Sequence, residues 1–427
     1  MNYDASLADL DALAARGMRL DPAPFERLLQ KLDNPHHAYR TILVGGTNGK
    51  GSTAAMIASM LTRVGLRVGL YTSPHLVDVR ERIRVDRVFI SSQELSEYLL
   101  AIRQVEDGGA TYFEYLTAAA FLHFHAWRID LAVLEVGMGG RLDATNVVSP
   151  VLSIICNVTL EHTEYLGRRL QDIAGEKAGI IRPGGLCLTA ARQEAVKKML
   201  RAYCRGIGAT LHEMGRDFSV RTFPDGSFAY RGHSLSLRNL RTTLPGKHQI
   251  RNAALAIAAV ESLALRGFPI DDHAIRVGIA SVNWPGRLET VAKRPLLVLD
   301  GAHNPAAVAV LCDALKGSFT WRKLIVIFGV LKDKNYPAMM KRLGALADLL
   351  ILTAPTTDRA VSPDNLLVIA RQYAHAVEVM PEPEQALKKA RAIADSDDLI
   401  CVTGSLYLVG EIKGHLASPV HGSGSRK

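Results

Sequence analysis

The decapeptide Val44–Thr53, VGGTNGKGST, sets one lysine among glycines, after an apolar run and before an amphipathic stretch. A glycine-rich turn from a strand into a helix aims backbone N–H groups at an anion, and the helix dipole adds positive potential. Thr47, Asn48, Gly49, Lys50, Gly51 and Ser52 are therefore candidates to cradle the phosphates of ATP, with Lys50 neutralising a β- or γ-phosphate. The stretch departs from the G-x-x-x-x-G-K-[ST] form at both ends: Val44 stands where Gly is expected, and Gly51 follows Lys50 in place of a hydroxyl. Without a ligand, the same residues read as a tight glycine turn.

Three more polar residues follow apolar runs. Ser73 comes after RVGLYT, Glu135 ends LAVLE, and His162 lies just beyond VLSIICNVTLE. In a parallel sheet the carboxyl ends of the strands share one edge, where ligands bind. A hydroxyl, a carboxylate and an imidazole could then face the loop's phosphates. Oxygen donors suit Mg2+, which bridges protein and substrate phosphate. Imidazole is not a usual Mg2+ ligand, so on the residues alone His162 reads as a hydrogen-bonded core histidine. Glu135, a carboxylate in so apolar a strand, needs a partner.

Positioning these groups requires a sheet. TILVGG (Thr41–Gly46), RVGLYTS (Arg67–Ser73), LAVLEVG (Leu131–Gly137) and VLSIICNV (Val151–Val158) read as buried strands. Between them, STAAMIASMLTRVG places Met56, Ile57, Met60, Leu61 and Val64 on one helical face before Gly65. The alternation predicts an α/β fold: a P-loop-type parallel sheet covered on both sides. From about Thr210 the texture becomes turn-rich and alternating, which predicts a small antiparallel subdomain, followed by a helix over Gln249–Arg266. WPGRLETVAKRP (Trp284–Pro295) interrupts the pattern. The alternation restarts in LLVLDGAHN, KLIVIFGVL, DLLILTAP and DLICVTGS, as a second, Rossmann-like α/β domain. The expected division is residues 1–290 and 291–415, with the boundary near Glu289–Arg294 and a frayed tail over 416–427.

Composition narrows the classes. Hydrophobic residues at 48% and charged residues at 22% give the balance of a soluble globular chain, not a disordered one. No apolar run is long enough to span a membrane. The stretch MNYDASLADLDALAARG has acids and no apolar core, so it does not read as a signal peptide; a cytoplasmic address is expected. Cys156, Cys187, Cys204, Cys312 and Cys401 are far apart with no C-x-x-C pair, which favours reduced, buried thiols over disulfides or zinc. The net charge of +9 suits nucleic acid or a polyanionic small substrate. Without a dense Lys/Arg run or a recognition motif, a nucleic-acid partner is not expected. No membrane partner is expected either, and the chain is read as a monomer.

Taken in order, GTNGKGS, YTSPHL, ERIRVD, LEVGMGGRLDATN, LEHTEYLG, EKAGII, PGRLE, DGAHNP and TGSLYL resemble the motifs of folylpolyglutamate synthases of the Mur ligase superfamily. The resemblance runs from about Thr41 to Gly410, and the Thr-Asn-Gly-Lys-Gly-Ser loop is that family's own form. It implies an ATP-dependent amide ligation. A folate carboxylate takes the γ-phosphoryl group, the amine of L-glutamate attacks the acyl phosphate, and ADP and phosphate leave. It also implies a metal shell of Ser73, Glu135 and His162. Lys177 resembles the family's carbamylated lysine, which helps hold a second Mg2+. Asn252, Arg287, Asp300 and His303 resemble nucleotide contacts, with His303 and Lys177 joining Lys50 as catalytic groups. Arg82 and Ser405 resemble glutamate-site residues. Read locally, Lys177 is an ordinary solvated helix lysine, and Asp300 and Asn304 form an Asx-type turn in DGAHNP. Ligands drawn from two domains would make catalysis depend on closure.

Some members of the family only extend polyglutamate tails; others also add the first glutamate to dihydropteroate, making dihydrofolate. TYFEY and GGRLDATN resemble the stretches that contact dihydropteroate in the second kind, which implicates Thr111, Tyr112, Phe113, Leu142, Asp143 and Ala144. Tyr112 or Phe113 could stack on a pterin and Asp143 could accept from its amino groups. Against this, the aromatics could be core residues of a helix continuing through Leu116 and Phe121. Two departures stand out: Arg251 precedes Asn252 in LPGKHQIRNAALA, and Lys334-Asn335 occurs in GVLKDKNY where an acid often follows the lysine. Rival readings are a Mur-type ligase for a cell-wall peptide, which would share the loop but not TYFEY, and a P-loop ATPase or kinase, which leaves DGAHNP and TGSLYL without a role.

Overall fold

In the computed structural model, residues 3–17, 19 and 21–417 are described; of the tail expected over 416–427, Leu416 and Ala417 belong instead to the helix Leu406–Ala417, and the rest lies outside the described residues. The chain is organised around two strands that read as pure apolar runs. β1 (Arg40–Gly45) is buried in all but its first residue, and β5 (Leu131–Glu135) is buried throughout. Strands with both faces covered have no polar side to alternate with, so they read as continuous runs. They pair in parallel, with Val44 opposite Glu135.

Around this pair lies a sheet with β2 (Val68–Tyr71), β3 (Ile83–Val85), β4 (Val88–Phe89), β6 (Leu152–Ile155), β7 (Leu186–Thr189) and β8 (Thr210–Glu213). Its order is β4-β3-β2-β5-β1-β6-β7-β8. The run from β2 to β8 is parallel, whereas β3 and β4 form an antiparallel edge. ERIRVD supplies part of that edge. One expectation is corrected here: the segment from Thr210 is first a parallel strand, β8, before any antiparallel structure begins. Thr210 alternates because an edge strand keeps one solvated side. The antiparallel sheet proper is β9 (Ser219–Thr222), β10 (Phe228–Arg231) and β11 (Ser236–Leu240), in the order β11-β10-β9.

The helix Lys50–Arg63 is buried from Gly51 through Leu61, so the single apolar face read from the sequence understates its surroundings. The helix Lys247–Ala264 is likewise buried over most of its length; it begins and ends slightly before the expected Gln249–Arg266. It anchors the small sheet through one carboxylate. Glu261 accepts from the Tyr230 hydroxyl at 2.5 Å, Ser234 N at 2.6 Å and Leu235 N at 2.7 Å. A buried carboxylate is stable there because every donor it lost in water has been replaced.

The second sheet runs β12 (Glu289–Lys293), β13 (Leu296–Leu299), β17 (Leu399–Thr403), β14 (Leu324–Phe328), β15 (Leu349–Leu352) and β16 (Val377–Val379) in space. It is parallel except for β12, which pairs antiparallel with β13. The described residues divide into two compact units: 3–74, 80–243 and 247–283 in the first, 75–79, 244–246 and 284–417 in the second. The segment Glu289–Arg294, expected at the boundary, contains the edge strand of the second sheet; the second unit takes up the chain at Trp284. Its charged, alternating sequence is that of an edge strand and was read as a linker.

All five cysteines are buried and unpaired. Among the described residues no helix is long and apolar enough to cross a membrane.

Candidate active site

The glycine loop leaves β1 and is tied to the segment after β6. Thr47 N donates to Asn157 O at 2.9 Å, and Asn48 N donates to Asn157 Oδ1 at 2.8 Å. Thr159 N donates to Thr47 Oγ1 at 3.0 Å. Thr47 and Ser52 are thereby buried, and Gly51 and Ser52 form the first turn of the following helix. Gly49 has φ of +88°, a left-handed conformation, and a Cβ there would lie 2.7 Å from Asn252 Oδ1. Both conditions demand glycine. Asn252 reaches the loop from the first half of the helix Lys247–Ala264, and its Nδ2 donates to Gln249 Oε1 at 3.0 Å. Lys50 Nζ turns back onto Thr47 O at 3.2 Å.

Lys177 is not the solvated helix lysine that its local sequence suggests; it is 1% exposed. Its Nζ lies 2.8 Å from Glu161 Oε1 and donates to Gly46 O at 3.1 Å. Burial lowers its pKa, with Glu161 opposing and Lys50 adding to the fall. Burial would raise Glu161, but the charges of Lys177 and Lys50 together hold it below the usual glutamate range. The two shifts pull in opposite senses on one contact. The short buried contact favours an ionised pair, because a neutral Lys177 would leave the Glu161 carboxylate without its cation. Glu161 went unread in the sequence, although it stands directly before His162 in LEHTEYLG. His162 itself has φ of +46° and caps the short helix Thr163–Leu166. Burial pushes the neighbouring Cys156 thiol up to about 11, so it is inert near neutral pH.

Glu135, buried at the end of β5, accepts from Ser73 N at 3.1 Å, which gives the carboxylate one partner and ties two of the expected metal donors together. Among the described residues no group of three or more His, Cys, Asp or Glu side chains could hold a metal. The expected shell contains only two such residues, its third donor being the Ser73 hydroxyl. A carboxylate and a hydroxyl suit a hard divalent cation, and an imidazole is tolerated by Mn2+ and its neighbours.

Two residues beyond Glu135 a different surface begins. A Cβ on Gly137 would lie 2.7 Å from the Phe113 ring, so that ring rests directly on the backbone. Phe113 is 5.9 Å from Tyr71, centroid to centroid, and the Arg82 guanidinium lies 5.4 Å from the centre of the Tyr112 ring. Tyr112 and Phe113 are only partly buried, whereas Leu116 and Phe121 are fully buried. The first-turn aromatics are therefore not core residues of their helix. Thr111 is committed to capping it: Thr111 Oγ1 accepts from Glu114 N at 3.3 Å, and Glu114 Oε2 accepts from Thr111 N at 2.7 Å. Asp143 shapes its own loop, accepting from Met138 N at 2.9 Å, Thr145 N at 3.0 Å and Thr145 Oγ1 at 2.6 Å. Burial raises its pKa against those bonds. Leu142 beside it is exposed, and Ala144 opens the 3-10 turn that Asp143 caps. Arg82, expected at a glutamate site, joins this aromatic group.

The remaining expected residues belong to the second unit. Asp300 Oδ1 accepts from Ala302 N at 3.0 Å and Oδ2 from Leu288 N at 2.9 Å; burial raises its pKa while Arg287 opposes. His303 Nδ1 lies 2.8 Å from Gly301 O and so carries its hydrogen. Asn304 caps the helix Pro305–Ser318 through Ala307 N at 2.8 Å. The Asx-type turn is thus real. Ser405 is buried, and its Oγ accepts from Tyr407 N at 3.1 Å. Lys334 pairs with Asp333 at 2.8 Å, and Asn335 caps the helix Tyr336–Gly344.

The chain matches the Mur ligase middle domain over residues 44–260 and the Mur ligase glutamate ligase domain over residues 286–406. A dihydrofolate synthase/folylpolyglutamate synthase of Bacillus subtilis (strain 168) is 36% identical over 92% of this chain and 94% of its own length. The solved structure of E. coli FolC in complex with DHPP and ADP superposes with a TM-score of 0.91 at 29% identity, covering 97% of this chain and 98% of that one. The Yersinia pestis CO92 bifunctional folylpolyglutamate synthase/dihydrofolate synthase complexed with AMPPNP and Mn ion gives 0.88 at 28%, covering 97% and 98%. A glycine loop ringed by two lysines, a carboxylate tied to Ser73 and an aromatic shelf beside it, in a chain matched along nearly its whole length, leave one placement: it belongs to the dihydrofolate synthase/folylpolyglutamate synthase family of Mur ligases.

Proposed function

We propose that this chain is an ADP-forming ligase that joins L-glutamate to folates and to 7,8-dihydropteroate. The observation that carries the reading is a three-residue link. Glu135 ends β5 beside the strand that feeds the glycine loop, and Gly137, two residues on, lies under Phe113. One rigid stretch of backbone thus joins a carboxylate fit for a metal to a flat aromatic shelf fit for a pterin. Neither a peptide-specific Mur ligase nor a simple ATPase has a use for the shelf.

In this reading the loop N–H groups and Lys50 grip the β- and γ-phosphates, and Asn252 holds the loop's shape through Gly49. Lys50 leaves Thr47 O to meet the transferring group, so its charge is spent where charge develops. Ser73, Glu135 and His162 would hold a divalent cation. Such a cation, when bound, would neutralise the transferring phosphoryl group and polarise the substrate carboxyl. Lys177 would carry a carbamate for a second cation: Glu161 would release Nζ, the ammonium would give a proton to solvent, which burial eases, and the neutral amine would add CO2 with loss of a second proton. Tyr112, Phe113 and Asp143 orient the pteroyl group with Thr111, Leu142 and Ala144. Arg287, Asp300 and His303 are assigned as nucleotide contacts, and Arg82 and Ser405 as contacts for carboxylates of glutamate or of its tail. The protein acts as a monomer in the cytoplasm, where five buried thiols remain reduced.

The test is direct. Purified protein with ATP, Mg2+ and glutamate should release phosphate only when dihydropteroate or a reduced folate monoglutamate is added. Release without glutamate would make it an ATPase; no release with either pteroyl compound would end the folate reading.

A further inference from the structure

Arg251 breaks the pattern of its neighbours. It lies in the first half of the helix Lys247–Ala264, directly before Asn252, and it is half-buried. Asn252 faces the loop at Gly49, and Arg251, one residue before it, spans to the end of β7: its Nη2 donates to Ala190 O at 3.2 Å. Ala190 begins a segment laced to the strand end that holds the loop. Thr189 Oγ1 donates to Ile155 O at 2.8 Å, and Gln193 Nε2 donates to Val158 O at 2.9 Å. Asn157, between those acceptors, receives Thr47 N and Asn48 N. The contacts close a ring: loop, β6 end, β7 end, Arg251, Asn252 and back to Gly49.

A second cation joins this rim. Arg192 is exposed and close enough that its charge, after burial, lowers the Arg251 pKa. No carboxylate pairs with either guanidinium among the described residues; the contact made by Arg251 is a neutral carbonyl. Two neighbouring like charges on this side of the loop, without a carboxylate to pair them, favour an anion. A planar guanidinium with one hydrogen bond made keeps most of its donors for phosphate oxygens.

We propose that Arg251, assisted by Arg192, is a further nucleotide contact, closing the β6–β7 side of the glycine loop and taking an oxygen of the ATP phosphate chain. The proposal rests on the nucleotide reading of the loop. Losing a charge-assisted hydrogen bond to phosphate weakens binding about 10-fold or more.

The experiment titrates the full-length protein and its Arg251→Ala, Arg251→Lys and Arg192→Ala variants with ADP and, separately, with adenosine, by calorimetry. Steady-state KM for ATP and for the pteroyl substrate are measured alongside. Arg251→Ala should weaken ADP about 10-fold and leave adenosine unchanged, with the loss falling on KM for ATP more than on kcat. Arg251→Lys should lose part of this, and Arg192→Ala roughly 2- to 3-fold. ADP affinity unchanged in folded Arg251→Ala, or equal losses for ADP and adenosine, would overturn the proposal. So would a loss confined to KM of the pteroyl substrate, which would turn the cations toward carboxylates. Should Arg251→Ala not fold, wild-type ADP affinity in both other variants would overturn it equally. Wild-type protein that binds ADP but releases no phosphate with a pteroyl substrate counts against the ligase reading alone.

Discussion

Replacing Glu161 by Ala leaves the Lys177 ammonium buried with one partner in place of two. Lys177 is 1% exposed, and its remaining bond goes to Gly46 O at 3.1 Å. Breaking a buried pair by deleting one member costs about 3–5 kcal/mol. The Glu161 side chain keeps 13% exposure, and the carbonyl stays in place, so the lower end applies: about 3 kcal/mol. The assay is urea unfolding of metal- and nucleotide-free protein, with Glu161→Ala, Lys177→Met and the double variant forming a cycle. The double variant should recover most of the loss, because it buries no unpaired charge. The pH dependence follows from the shifts. Burial opposes ionisation of Glu161, yet Lys177 and Lys50 hold its pKa below 4.5, so its contribution is complete above 4.5 and fades as pH falls through the folded value. In Glu161→Ala that fading should vanish. At high pH the cost of the variant should shrink, since the lowered pKa of Lys177 lets the amine lose its charge before 10.5. Additive single effects, with coupling under ~0.5 kcal/mol, would refute the buried pair.

Lys50→Ala should cut turnover by about 10²-fold or more while moving the unfolding midpoint little, since among the described residues its hydrogen bond goes to Thr47 O and its charge acts on Glu161 and Lys177 in opposite senses; phosphate release and urea unfolding check both halves. Asp143→Ala should reduce dihydropteroate ligation more than tail extension, and it should cost roughly 1–3 kcal/mol because Met138 N and Thr145 N lose their acceptor. Equal losses in the two reactions would remove the pterin role and keep the structural one. Glu261→Ala should detach the small sheet from its helix at a cost of about 3 kcal/mol, read as rapid amide exchange at Ser234 and Leu235; protection as in wild type would show that the carboxylate is not the anchor.

The sequence disclosed groups whose neighbours are local and hid those whose neighbours are distant. The glycine loop and the helix behind it are adjacent in the chain, so their meaning was legible from order alone. The first-turn position of Tyr112 and Phe113 was legible in principle: Thr111 and Glu114 spell a capping box, which places both aromatics at a helix start and off its core face. Lys177 was not legible, because its burial depends on Glu161 and Gly46, which meet it only through the sheet. The antiparallel edge made by β3 and β4, and the edge strand β12, were missed because charged, short strands lack the apolar runs by which the interior strands announce themselves.

The helix Lys247–Ala264 meets the glycine loop through Asn252 and the small sheet through Glu261, ~13 Å apart along its axis at ~1.5 Å per residue. A rod clamped at both ends behaves as a lever. Any ligand that shifts Gly49 either strips Asn252 from it or carries Tyr230 along. A dye attached at the exposed Arg231, on the strand that Tyr230 belongs to, is therefore positioned to report loading of the loop from the far end of the helix.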